Sequence, residues 1–152
     1  MIYRKAKMTD VESIHRLIYN YANQGLMLAR SRSSIYENLR EFTVAEDGGT
    51  VAGIGGLHIL WHDLGEIRSL AIDPSYTKQG IGRHLVELLE QEALALGLPK
   101  LFALTYQPVF FAKCGFQEVE NNILPQKVWK ECINCPKFPD CDEQAVLKIL
   151  QK

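Results

Sequence analysis

Glu66-Ile67-Arg68-Ser69-Leu70-Ala71-Ile72-Asp73-Pro74-Ser75-Tyr76-Thr77-Lys78-Gln79-Gly80-Ile81-Gly82-Arg83 is the stretch from which the fold can be read. Glu66–Ile72 has the apolar, β-prone character of a strand, and Asp73-Pro74 closes it. Ser75–Gln79 is a loop, and from Gly80 to Leu96 the residues Ile81, Leu85, Leu88, Leu89, Ala93 and Leu96 recur at helical spacing. Gly97 ends that helix as a C-cap, with Pro99 beyond it. A strand therefore runs through a glycine-bearing loop into a long helix. Gly80 and Gly82 carry no side chain, so backbone N–H groups and the positive end of the helix dipole can face an anion. A bare G-x-G is a weak motif, and the strand–loop–helix setting is what lends it weight.

The elements on either side complete a mixed α/β order. Upstream, Ile2–Ala6 reads as a strand, and Thr9-Asp10-Val11-Glu12 as a capping box. Val11, Ile14, Leu17, Ile18 and Tyr21 form the buried face of a helix that Asn23-Gln24-Gly25 stops. A second capping box, Ser34-Ile35-Tyr36-Glu37, opens a short helix ending near Arg40. Phe42–Glu46, the turn Asp47-Gly48-Gly49 and Thr50–Leu60 read as an antiparallel hairpin, with Glu66–Ile72 as its third strand. Downstream come the strand Leu101–Thr105, a short helix Val109–Lys113 and a strand from Phe116 to Val119.

Composition sets the outer bounds. The 152 residues suit one domain with a sizeable core. With 17 Lys+Arg against 18 Asp+Glu the net charge is −1, which argues against a nucleic-acid partner. No apolar run is long enough to span a membrane, and MIYRKAKMTD lacks the apolar core of a signal peptide. A cytoplasmic protein acting on something small is expected. A homodimer is left open.

The C-terminal part differs in character. Residues 1–124 are expected to form the main domain, and 125–152 an extension packed on it, made of a cysteine loop and a terminal helix. Lys127–Lys130 reads as one more strand, and Asp142–Lys152 as a capped helix with Val146, Leu147, Ile149 and Leu150 as its apolar residues. Between them, Cys132, Cys135 and Cys141 supply three thiols where a closed zinc site needs four ligands. Asp142, a histidine or Cys114 would have to be the fourth; otherwise these are three reduced thiols, and no metal is expected.

The strand–loop–helix stretch and the element order resemble the GNAT family of acetyl-CoA-dependent N-acetyltransferases over about residues 2 to 120. The family's phosphate loop reads Gln/Arg-x-x-Gly-x-Gly/Ala. Here it is Thr77-Lys78-Gln79-Gly80-Ile81-Gly82, with Thr77 in the leading position. The resemblance implies a mostly antiparallel central sheet flanked by helices, and acetyl-CoA as co-substrate. It places the pyrophosphate on the amides of Lys78, Gln79, Gly80, Ile81, Gly82 and Arg83, and pairs the pantetheine arm with Leu70-Ala71-Ile72. Glu66 is the implied base and the Leu70 amide the implied oxyanion donor. Many relatives carry a Tyr four residues before a Gly-Phe pair as the acid. That position is Phe111 here, so Tyr106 is the substitute candidate.

Within the family, Gly25–Phe42 with its Arg30-Ser31-Arg32 run, the hairpin that follows, and Phe110-Phe111 leading to Gly115-Phe116 resemble N-acetylglutamate synthases. That likeness implies acetylation of the α-amine of a free amino acid, foremost glutamate, as the first step of arginine biosynthesis. Arg30, Arg32 and Arg68 are the implied binders of the acceptor's carboxylate. No amino-acid-kinase-like segment stands ahead of these elements, so the short stand-alone type is expected, without arginine feedback through such a domain. Another small amine, a protein amine, or an acetyl-CoA-binding sensor without turnover remain as alternatives. His58, His62 and His84 fall at no metal-ligand spacing and read as structural or surface histidines; Trp61 and Trp129 read as packing.

Overall fold

A computed structural model describes residues 1–120 and 143–151. The elements are β1 (Ile2–Lys5), α1 (Val11–Ala22), α2 (Arg32–Glu37), β2 (Phe42–Asp47), β3 (Thr50–Trp61), β4 (Leu64–Ile72), α3 (Ile81–Leu96), β5 (Lys100–Thr105), α4 (Pro108–Lys113), β6 (Gln117–Val119) and β7 (Gln144–Ile149). The expected strand Lys127–Lys130, Trp129, the loop holding Cys132, Cys135 and Cys141, and Asp142 lie outside the described residues.

The strands form one sheet in the order β1-β2-β3-β4-β5-β7-β6. Every neighbouring pair is antiparallel except β4 with β5. A core lies on each face. On one, Val11, Ile14, Leu17 and Ile18 of α1 and Ile35 of α2 pack on Phe42, Val44, Ile54 and Ala71. On the other, Val86, Leu89 and Ala93 of α3 and Phe111 of α4 pack on Leu57, Ile67, Leu101 and Val146.

Three local expectations are corrected. The first helix is not capped by Thr9: Met8–Asp10 is a single 3-10 turn, and the Asp10 carboxylate accepts the Lys7 N–H at 2.7 Å. The same carboxylate takes both ends of the Arg4 guanidinium, at 2.7 and 2.9 Å, which ties β1 to the start of α1. The second helix starts three residues early, because the Ser31 hydroxyl, chemically equivalent to that of Ser34, accepts the Ser34 N–H at 3.0 Å. The terminal helix does not form. Gln144–Ile149 is instead a strand inserted between β5 and β6, pairing Phe102 with Leu147 and Val119 with Ala145. The open edge of β5 needs a partner, and a segment with β-branched Val146 and Ile149 supplies one.

Candidate active site

Parallel pairing between β4 and β5 is confined to Gly65 with Leu101 and Glu66 with Phe102. Beyond Glu66 the two strands part. β4 also bulges there: Arg68 opposes Gly56 and Ala71 opposes Ile54, so Ser69 and Leu70 share the single partner position of Gly55. Ser69 sits at φ +56°, in the left-handed region that a side chain disfavours. Past the bulge the Asp73 N–H donates to the Ala52 carbonyl at 2.8 Å, directing Asp73 and Ala71 toward β3. Alternation along the ladder then turns the backbone groups of Leu70 and Ile72 to the open edge.

The open edge leads to α3. Lys78 at φ +65° and Gly80 at φ +79° bend the loop, and a Cβ on Gly80 would meet nothing within 4 Å. A Cβ on Gly82 would come within 3.3 Å of the Phe110 ring. Gly80 is thus required by conformation and Gly82 by close packing. Lys78, Gln79, Gly80 and Arg83 are exposed, while Ile81 is buried under the sheet. The Thr77 hydroxyl donates to the Pro74 carbonyl at 3.2 Å and so shapes the loop from within. An edge of unpaired strand ending at a helix N-terminus through a glycine loop fits an extended arm that carries phosphates.

A cavity of about 580 Å³ opens from the parted strands onto the face covered by α1 and α2. It is lined by Arg30, Ser34, His58, Glu66, Arg68, Ser69 and Leu70, and from the β5 side by Leu104, Thr105 and Tyr106. Arg68 donates to Glu66 through Nε at 3.3 Å and a terminal nitrogen at 3.2 Å. Both are largely buried, with 13% and 14% of their side chains exposed. Arg30 donates twice to the Ser34 hydroxyl, at 3.2 and 3.1 Å, and reaches the Ser69 hydroxyl at 3.5 Å. Its guanidinium lies 5.3 Å from the centroid of the Phe42 ring, a cation–π placement that fixes its plane. Gly56 lets β3 approach β4 closely here: a Cβ there would meet the Arg68 carbonyl at 3.3 Å.

The residues singled out from sequence divide accordingly. Glu66, Leu70, Tyr106, Arg30 and Arg68 meet at the cavity. Arg32 stands apart from it, on the surface, where it pairs with exposed Glu12 at 2.8 Å. Phe111 is 5% exposed and packed edge-on against Phe110 and Phe116. Tyr21 and His58 line the cavity without having been assigned to the site from sequence. Tyr21 read as helix core, yet its hydroxyl donates to the Ile72 carbonyl on the open edge of β4 at 2.6 Å. Burial pushes its pKa up and Asp73 adds to this, so the hydroxyl keeps its proton. His58 read as an ordinary histidine, yet it borders the cavity with Nδ1 2.8 Å from Glu41. Neither was signalled by spacing, since each depends on which strands become neighbours.

Among the described residues no three His, Cys, Asp or Glu side chains come together as a metal site. Cys114 is half-buried at the end of α4, and burial pushes its thiol pKa up. Among the described residues no helix is long and apolar enough to cross a membrane.

A parted β4/β5 pair, a bulge at the parting and a glycine loop capping the next helix define a class of acyl-CoA-binding transferases. The acetyltransferase (GNAT) family model matches residues 8–116, and the chain belongs to that family. It is 41% identical over 147 residues to an uncharacterised N-acetyltransferase of Chlorobaculum tepidum, covering 97% of this chain and 95% of the relative. It is also 41% identical over 133 residues to an amino-acid acetyltransferase of Mycobacterium tuberculosis, covering 86% and 76%. Among solved structures, it superposes on N-acetylglutamate synthase from Neisseria gonorrhoeae complexed with coenzyme A and N-acetyl-glutamate, with a TM-score of 0.90 at 28% identity. That match covers 99% of this chain and 35% of the other, longer one. The protein is thus a GNAT N-acetyltransferase with acetyl-CoA as its co-substrate.

Proposed function

We propose that the protein acetylates the α-amine of a free amino acid, glutamate, the reaction that opens arginine biosynthesis. The observation that carries this reading is the placement of Arg30 and Arg68 around Glu66 in a cavity continuous with the open edge of β4. A free amino acid differs from a peptide or simple amine in its α-carboxylate, and a planar guanidinium matches a carboxylate with two parallel hydrogen bonds. The amino-acid acetyltransferase of Mycobacterium tuberculosis and the N-acetylglutamate synthase from Neisseria gonorrhoeae support the same acceptor class.

When bound, acetyl-CoA supplies the thioester. Lys78 to Arg83 hold the phosphates through backbone N–H groups, and the edge groups of Leu70 and Ile72 align the arm. Arg30 holds the acceptor carboxylate from the α2 side, 5.3 Å above the Phe42 ring. Glu66 accepts the proton that the acceptor's ammonium must lose. The Leu70 N–H, turned away from β3, donates to the carbonyl oxygen as negative charge develops on it. Tyr106, at the end of β5, is the hydroxyl placed to protonate the departing sulfur. Binding both reactants in one geometry supplies much of the acceleration.

The test is acetyl-CoA consumption across a panel of free amino acids, with glutamate α-methyl ester and a peptide amine as controls. Glutamate is expected to be acetylated fastest and its methyl ester poorly. A methyl ester as good as glutamate, or a peptide amine better than both, would leave only the family assignment standing.

A further inference from the structure

His58 stands directly opposite Glu66 in the β3–β4 register, so both side chains leave the same face of the sheet. On the other flank of β3, Glu41 precedes the first residue of β2, and its Oε2 lies 2.8 Å from Nδ1 of His58. Glu41, just ahead of β2, therefore forms a row with His58 on β3 and Glu66 on β4, beside the cavity. The row is largely sheltered: Glu41 exposes 17% of its side chain, His58 25% and Glu66 14%.

Two details separate this row from a chance ion pair. An ionised carboxylate only accepts, so its contact with Nδ1 places a proton there. The neutral ring then has Nε2 as its acceptor, on the side away from Glu41. Second, the other Glu41 oxygen, Oε1, is buried with no hydrogen-bond partner. Among the described residues, the imidazole is therefore the hydrogen-bond partner that faces this carboxylate.

We propose that Glu41 and His58 carry away the proton that Glu66 removes from the acceptor, a role that rests on Glu66 acting as base. The acceptor's ammonium gives one N–H proton to the Glu66 carboxylate, and the N–H electron pair stays on nitrogen. A proton on Glu66 breaks its pair with Arg68, and passing it to Nε2 of His58 restores that pair. The imidazolium so formed faces the Glu41 carboxylate, and His58 later releases the proton to solvent. Tyr106 protonates the departing thiolate and regains a proton from the nitrogen's second N–H as the amide forms, so each turnover releases one proton. Directly opposed residues have Cβ atoms about 4.5–5.5 Å apart, within reach of side-chain contact or one bridging water. The charged groups around the ring are Glu41 before β2, Glu66 and Arg68 on β4, and Arg30 ahead of α2. His58 and Glu41 are positioning residues here, since they act through Glu66.

The decisive variant is His58→Asn, whose amide nitrogen can take the place of Nδ1 and keep Glu41 satisfied while removing Nε2. It is expected to keep the wild-type melting temperature and to lose about 10²-fold in kcat. Added imidazole, small enough for the cavity, is expected to restore part of that loss. Nitrogen NMR of the wild-type protein without substrate is expected to show the proton on Nδ1 of His58, and Glu41→Gln to disturb that tautomer. A His58→Asn rate within threefold of wild type, a loss that imidazole leaves unchanged, or a wild-type ring protonated on Nε2 alone would each overturn the proposal. Glu66→Gln is the control: full activity there would overturn Glu66 as the base and leave the His58 result as a separate finding.

Discussion

Replacing Arg30 with alanine tests the acceptor site at the contact that should discriminate most. The guanidinium is half-buried, fastened to Ser34 at 3.1 and 3.2 Å, and stacked 5.3 Å from the Phe42 centroid. A carboxylate binding there finds a donor plane already oriented, so little ordering entropy opposes the contact. Losing a sheltered, charged, two-point contact costs about 2–4 kcal/mol, or about 30- to 1000-fold in kcat/KM. The carboxylate is unchanged by the reaction, so the contact is made equally in ground and transition states. The loss should therefore fall on acceptor KM, with kcat nearly unchanged.

Acetyl-CoA KM should move less than twofold, because the phosphate loop is reached along the other end of β4. Arg30→Lys keeps the charge and loses the fork, and is expected to lie between the two. The assay is initial-rate thiol release with each substrate varied in turn, on protein whose melting temperature shows that it is folded. Removing the stack on Phe42 should cost about 0.5–1 kcal/mol in stability, too little to unfold the chain. An Arg30→Ala enzyme with unchanged glutamate KM would refute the carboxylate assignment. Equal rises in both KM values would show that Arg30 shapes the cavity as a whole.

Two further outcomes follow from local geometry. Gly80→Ala meets no clash but must hold φ +79°, at a strain of about 1–2 kcal/mol; acetyl-CoA affinity by calorimetry should fall severalfold with acceptor KM unchanged, and unaltered affinity would mean that this loop conformation does not serve the phosphates. Asp10→Asn should destabilise the fold by about 2–3 kcal/mol in urea unfolding, because the carboxylate accepts from both ends of Arg4 and from the Lys7 N–H. The Arg4 guanidinium holds the Asp10 pKa below its ordinary value. That stability is therefore complete above the unfolded carboxylate's pKa and is lost as pH falls through the folded one. The Asn variant should lack this acid-side loss, and an unchanged pH dependence would place it in other carboxylates.

The order of elements was legible because each depends on short-range pattern. The helical spacing from Ile81 to Leu96, the Asp47-Gly48-Gly49 turn and Gly97 at φ +85° are local signals with one reading. The last strand was not legible, because Val146, Leu147, Ile149 and Leu150 suit a helix face as well as a strand. What decides is the edge of β5, distant in sequence, which takes six residues of β7 in register. The caps failed for a related reason. Ser31 and Ser34 are chemically alike, and Asp10 was claimed by Arg4 of a neighbouring strand. Glu66 could be placed beside the cavity from the resemblance, although β4 begins two residues earlier, at Leu64. His58 could not, because its neighbours Glu41 and Glu66 come from separate parts of the chain that the sheet brings together.

The bulge at Ser69 lets one strand present two different faces. Up to Arg68 the even-numbered residues of β4 face α1 and α2, bringing Glu66 and Arg68 into the cavity. An uninterrupted strand would send Leu70 and Ile72 to that same face and fill the acceptor site with aliphatic bulk. The extra residue reverses the alternation. Ala71 now packs with the α1 and α2 core, while Leu70 and Ile72 pack against Ile81 and Leu85 of α3. The charged half of β4 thus lines the cavity proposed for the acceptor, and the apolar half anchors the helix whose N-terminus is proposed to receive phosphates. Holding a non-glycine residue at φ +56° costs about 1–2 kcal/mol, and burial of Leu70, Ala71 and Ile72 on the correct faces offsets it. Ser69 also returns something a glycine could not: its hydroxyl lies 3.5 Å from Arg30, linking the point where the strand turns over to the guanidinium proposed to hold the acceptor.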